Sequence, residues 1–217
     1  MGAVSSVLLG LLKKGDHVVY VNNIYGPTME LARHLRNFGI EFDTVYDNDI
    51  KSIRKKIRLK TKLLFFESPG TMLFHMLDIS QIVKLCKKRG ILTCIDNSWA
   101  TPLYQKPLKM GVDIAVQSTT KYIGGHSDVI AGAIITNKKL LKRIFYNAYL
   151  LLGGALSPFD AWLLIRGLRT LPVRMKQHHT DALEIAHFLN EHPKIKTVYH
   201  PAVHPDDKDL AEKQLTG

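Results

Sequence analysis

Hydrophobic and polar positions along the chain alternate between two periods. Val4, Val7, Leu8, Leu11 and Leu12 recur at helical spacing and stop at Lys13, Lys14 and Gly15, which predicts an opening helix. An apolar strand, 17–21, follows. Residues 27–38 read as a helix closed by Gly39, 40–46 as a strand and 49–58 as a basic helix. The run 62–66 reads as a strand stopped by Pro69-Gly70, 78–89 as a helix closed by Gly90, and 91–95, 112–117 and 129–136 as strands. From about residue 138 the pattern changes to helical stretches over 138–152, 158–169 and 173–190. A strand-like run, 194–199, follows Pro193. No internal repeat or low-complexity segment interrupts this order.

Continuous apolar strands between amphipathic helices predict an α/β fold, a mostly parallel sheet sandwiched by helices. In such sheets the ligand site lies beyond the carboxyl ends of the strands. The stretch 169–172 is the expected boundary to a second domain.

Composition adds little to that picture. Of 217 residues, 46% are hydrophobic and 23% charged, an ordinary core-forming balance. No apolar run is long enough to span a bilayer, so no membrane association is expected. The apolar start is short, and its charges follow instead of preceding it, unlike a secretory signal. A cytoplasmic location is the expectation. The net charge of +11 raises nucleic acid as a partner. The lysines are spread along polar helix faces without interleaved aromatics, so no nucleic-acid partner is expected. The two cysteines, Cys86 and Cys94, read as buried reduced thiols, and no metal-ligand spacing stands out.

Four places carry candidate chemistry. Asp96 ends a strand and faces the expected crevice; taken alone it reads more as capping the next turn than as holding a charged ligand. In QSTTKYIGGHSD, 117–128, three hydroxyl residues precede Lys121. That pattern suits a phosphate beside an aldehyde that meets the amine, or a plain surface loop. Gly2 and Ala3 begin the first helix, where open N–H groups favour an anion. Tyr25, in the loop after the first strand, could stack on a flat ring or pack as a loop aromatic. Together, a phosphate cradle, an aromatic plate, an acid and an amine form the set that a pyridoxal 5'-phosphate (PLP) site needs.

The ordered motifs resemble a known family. The run from Gly15-Asp16-His17-Val18 to Tyr25, then Glu67-Ser68-Pro69-Gly70, Asp96-Asn97-Ser98-Trp99, Ser118-Thr119-Thr120-Lys121-Tyr122, Gly125-His126-Ser127-Asp128 and Arg166-Gly167-Leu168-Arg169-Thr170-Leu171 occur in the order seen in the trans-sulfuration PLP enzymes. These include the cystathionine γ-synthases, γ-lyases and β-lyases and the methionine γ-lyases. The chain looks most like the bacterial cystathionine β-lyase branch, through Thr71 where many relatives have Asn and through Tyr146-Asn147-Ala148-Tyr149, Gln177-His178-His179 and Glu191-His192-Pro193.

The resemblance implies the large domain of a fold type I, aspartate-aminotransferase-like enzyme over 1–170. Residues 171–217 would lead into an incomplete C-terminal domain. It implies that Lys121 carries the cofactor as a Schiff base and moves protons at Cα, and that Tyr25 stacks on the ring and assists proton transfer. Asp96 would pair with the pyridinium nitrogen. Gly2, Ala3, Ser118 and Thr120 would hold the phosphate. The implied substrate is L-cystathionine, cleaved at Cβ–S to homocysteine, pyruvate and ammonia in methionine biosynthesis. Full-length relatives are expected as homo-oligomers, tetramers of dimers. Their chains continue past both ends of this one, and the Arg that grips the substrate carboxylate is expected outside it. A non-catalytic fragment, or a γ-synthase or γ-lyase, are the alternatives.

Overall fold

The computed structural model describes residues 1–21 and 23–216. Its elements in chain order are α1 (Gly2–Leu11), β1 (His17–Val21), α2 (Gly26–Leu35), β2 (Glu41–Val45), α3 (Ile50–Lys56), β3 (Thr61–Glu67), α4 (Ile79–Lys87) and β4 (Leu92–Asp96). There follow α5 (Thr101–Tyr104), β5 (Ile114–Gln117), β6 (Ala133–Thr136), α6 (Lys138–Ile144), α7 (Leu150–Leu152), α8 (Pro158–Glu191) and α9 (Lys208–Gln214). A short π-helical stretch, Phe145–Tyr149, links α6 to α7, so the expected helix over 138–152 is one irregular helical run.

The strands form one six-stranded sheet in the order β2-β1-β3-β4-β5-β6. The first five are mutually parallel, and β6 runs antiparallel to β5. Successive side chains on a strand point to opposite faces, and here both faces are covered. Val18, Tyr20, Leu63, Phe65, Cys94, Ile114 and Val116 pack against α1, α2 and α6. Their neighbours Val19, Val21, Leu64, Phe66, Ile95 and Ala115 pack against α3 and α4. This double burial is why the strands read as unbroken apolar runs. Cys94 lies in the first core and Cys86 in the second; both thiols are free and buried.

Two expectations fail beyond residue 138. The stretches 158–169 and 173–190 are one 34-residue helix, α8, with Pro172 inside it. Proline removes one i→i−4 hydrogen bond. Buried Leu171 and Met175, on either side of Pro172, pack on Ile123 with Leu164 alongside, and that packing carries the helix through. Helix α8 thus runs through the stretch 169–172 that was expected to lead into a second domain. The run 194–199 forms no strand, because no described strand lies beside it to complete its hydrogen bonds; the sheet edges are β2 and β6. Likewise, of 129–136 only Ala133–Thr136 pairs.

Helix α8 also braces the loop after β5. Arg174 donates from Nη1 to the Tyr122 carbonyl at 2.7 Å and from Nη2 to the Gly167 carbonyl at 2.9 Å. Gly167 lies against the carbonyls of Ile123 and Gly124, with no room for a Cβ. We expect Gly167→Ala to force α8 off this loop and cost about 1–3 kcal/mol, read as a lower midpoint in urea unfolding.

Candidate active site

The parallel strands all end on one edge of the sheet, and an open cleft of about 1790 Å³ lies along it. All seven residues singled out from the sequence line this cleft: Gly2, Ala3, Tyr25, Asp96, Ser118, Thr120 and Lys121. They come from four places in the chain, and the sheet is what gathers them.

Asp96 is the last residue of β4. Its Oδ1 accepts from the Ser98 N–H at 3.0 Å and from the Ser98 hydroxyl at 2.6 Å, so it does cap the following turn. Both readings of Asp96 survive, because Oδ2 has no hydrogen-bond partner among the described residues. Burial pushes its pKa up, and the two bonds from Ser98 oppose that shift. The Ser98 hydroxyl also accepts from the Ser118 N–H at 2.6 Å. One hydroxyl thus ties the acid of β4 to the start of the lysine loop.

That loop is wound tightly. The Lys121, Gly124 and Gly125 amides donate to the carbonyls of Ser118, Thr119 and Lys121 at 3.1, 2.8 and 2.8 Å. Gly125 has φ +73°, a left-handed conformation suited to glycine. The Lys121 side chain is exposed in the cleft, and its amine has no hydrogen bond or ion pair among the described residues. The Ser118 hydroxyl is likewise uncommitted. Thr120 differs: its hydroxyl donates to the Ala131 carbonyl at 3.1 Å and accepts from the Ala131 N–H at 2.9 Å. Its proton is held by the β6 side of the loop, so it offers an anion less than Ser118 does.

Helix α1 opens on the same cleft. Met1 supplies no side-chain cap, and the first hydrogen bond of the helix is Ser5 N–H to the Met1 carbonyl at 2.9 Å. The N–H groups of Gly2 and Ala3 precede that bond and stay open, at the positive end of the helix dipole. A Cβ on Gly2 would meet nothing within 4 Å. Tyr25 is 50% exposed and precedes α2; its N–H donates to Glu67 Oε1 at 2.8 Å.

Sequence reasoning gave no role to Glu67, which ends β3 opposite Asp96 in register. It is buried, and Thr71 donates its hydroxyl to Oε2 at 2.6 Å. Burial, aided by the Asp96 charge, pushes its pKa up to about 7 against the bonds from Thr71 and Tyr25. Its signal in the sequence was its place, an acid closing an apolar strand one position before the Ser-Pro turn.

An uncommitted amine, a carboxyl with a free oxygen, open helix-start N–H groups and a free hydroxyl share one cleft. Such a set of groups suits an anionic, aldehyde-bearing ring cofactor. The chain belongs to the Cys/Met metabolism PLP-dependent enzyme family, whose model matches residues 1–217. It is 42% identical over 220 residues to an L-methionine gamma-lyase of Fusobacterium nucleatum subsp. polymorphum, covering 99% of this chain and 55% of that protein. It is 38% identical over 221 residues to a cystathionine beta-lyase of Coxiella burnetii, covering 98% and 56%. The crystal structure of a cystathionine gamma-lyase from Lactobacillus plantarum complexed with L-serine superposes with a TM-score of 0.93 at 36% identity, over 100% of this chain and 57% of that one. The fold is that of the PLP-dependent fold type I large domain, and the family's cofactor is PLP. The chain spans about half the length of the curated relatives it matches.

Glu67 predicts a pH dependence of stability. Its folded pKa, about 7, exceeds the ordinary 4.5, so the folded state binds more protons between these values. Its stabilising contribution is full below about 4.5 and is lost as pH rises through about 7. We expect Glu67→Gln to flatten this loss, on the order of 3 kcal/mol, in unfolding free energies measured from pH 4.5 to 8. The Thr71 hydroxyl can turn to accept from the new amide.

Proposed function

We propose that this chain is the cofactor-binding part of a PLP-dependent carbon–sulfur lyase, and that its reaction is β-elimination of L-cystathionine to homocysteine, pyruvate and ammonia. The observation that carries the reading is the uncommitted Lys121 amine sharing a cleft with the free oxygen of Asp96. The matched cystathionine beta-lyase and the Thr71 position support β-elimination.

When bound, PLP supplies the electron sink that lets charge develop at the substrate Cα. Lys121 would hold the cofactor by its amine and, once released, move the Cα proton. Asp96 would keep a proton on the ring nitrogen; the positive charge there would offset the burial that raises its pKa. The N–H groups of Gly2 and Ala3 and the Ser118 hydroxyl would hold the phosphate, with Thr120 joining if its hydroxyl turned from Ala131. Tyr25 would supply an aromatic face and, through its phenol, assist proton transfer. Glu67 and Ser98 hold backbone and acid in place beneath these groups.

Two further readings each rest on an observation. The similarity to an L-methionine gamma-lyase favours γ-elimination. The coverage of about half of each relative, together with the carboxylate-gripping Arg expected outside this chain, favours a portion that binds cofactor but turns over slowly without the rest.

One experiment separates them. The purified chain is mixed with PLP and L-cystathionine, and the visible cofactor band and keto-acid products are followed. A band with pyruvate is the expected result. α-Ketobutyrate would replace β- by γ-elimination, and a band without keto acid would mark a binding portion alone. We expect Lys121→Ala to lose both band and product; a full band in that variant would overturn the assignment of Lys121.

A further inference from the structure

A second cluster of chemistry lies outside the cleft, where the chain after α8 folds back on the loop after β3. Asp207 is buried to 1% exposure. Its Oδ1 accepts from the Met76 N–H at 2.6 Å. Its Oδ2 faces two imidazoles at once: His75 Nδ1 at 2.9 Å and His204 Nδ1 at 3.2 Å. The His75 contact is a hydrogen bond. His204 is nine-tenths buried, and its Nδ1, though 3.2 Å from the carboxylate oxygen, makes no hydrogen bond among the described residues. The three ligand atoms lie within 4.8 Å of one another.

We propose that His75, His204 and Asp207 form a site for a divalent metal ion of the zinc class, with water in the fourth position. Two imidazole nitrogens and a carboxylate oxygen are a zinc-type donor set. Ligands about 2.0–2.1 Å from a tetrahedral ion stand about 3.3–3.4 Å apart. The two nitrogen–carboxylate separations, 2.9 and 3.2 Å, need to open by only a few tenths of an ångström, and the two imidazole nitrogens lie within 4.8 Å of each other. The ion replaces the proton between His75 and Asp207, and it gives a ligand role to the His204 nitrogen, which makes no hydrogen bond among the described residues. A divalent charge also offsets the desolvated carboxylate better than one imidazolium does.

The frame is set before any metal enters. Gln214 accepts from the Ile79 N–H at 2.9 Å and donates to the Leu77 carbonyl at 2.8 Å. With the Met76–Asp207 bond, these contacts fasten the C-terminal segment to residues 76–79. Tyr199 stacks on His204 with centroids 5.4 Å apart and planes at 18°, which holds that imidazole's orientation. Residues 70–72 and Phe74, just before His75, line the cleft. The metal therefore pins a cleft wall to a segment 132 residues further along the chain.

The test uses the purified full chain. Zinc is titrated calorimetrically, and Co²⁺ is titrated with visible absorption as a reporter of tetrahedral coordination. The expected result is one tight equivalent of zinc, an intense cobalt spectrum and a raised melting temperature. His204→Gln and Asp207→Asn each weaken zinc at least about tenfold and abolish the cobalt bands. His34→Gln, at an exposed histidine on α2, changes neither. Circular dichroism without metal checks that the variants fold; if Asp207→Asn does not, His75→Gln and His204→Gln carry the comparison. Equal zinc binding in wild type and both histidine variants, or no binding to wild type, overturns the proposal and leaves a hydrogen-bonded His–Asp cluster.

Discussion

Parallel pairing of the central strands governs most of what this molecule presents. Because β1, β3, β4 and β5 run the same way, their carboxyl ends arrive on one edge. The residue that closes each strand, or follows it, is then delivered to the same opening: Tyr25, Glu67, Asp96 and Ser118. An antiparallel partner in place of β4 would send Asp96 to the far side of the sheet. Ser98 adds the cross-tie, since its hydroxyl takes the Ser118 N–H and gives its own proton to Asp96. The spacing between acid and lysine loop thus follows from backbone pairing plus one short side chain.

The sheet was legible in the sequence for a physical reason. Strands buried on both faces carry few polar residues, so their runs of Val, Leu, Ile and Phe stand out. The helices between them end at Gly39 and Gly90, whose positive φ marks the stops. The candidate site was legible by position as well, since Tyr25, Asp96 and Ser118 close or follow strands and Gly2 and Ala3 open a helix. What escaped depended on contacts between distant segments. The commitment of the Thr120 hydroxyl to Ala131 cannot be read from spacing. Nor can the meeting of His75 with His204 and Asp207, which a search for close metal-ligand spacing passes over. The break expected at Pro172 failed because packing on Ile123 outweighs one lost hydrogen bond.

The C-terminal third is built differently from the sheet. Phe159, Trp162, Ile165, Ile185 and Phe188 on α8 and Leu150–Leu152 on α7 are exposed. The segment after α8 is held by a few polar bonds from Asp207 and Gln214 more than by apolar burial. Such an attachment is specific in position but small in area. The core around the sheet resists opening by burial, while this segment relies on keeping water away from a small number of donors and acceptors.

The two thiols give the molecule an internal gauge. Cys94 is sealed between the sheet and the α1 side, Cys86 between the sheet and α4, and burial holds both far from the thiolate state. A thiol-reactive dye therefore meets no ready nucleophile on the folded chain. Each label acquired would timestamp the opening of one face of the sheet, and the order of labelling would tell which side of the sandwich loosens first.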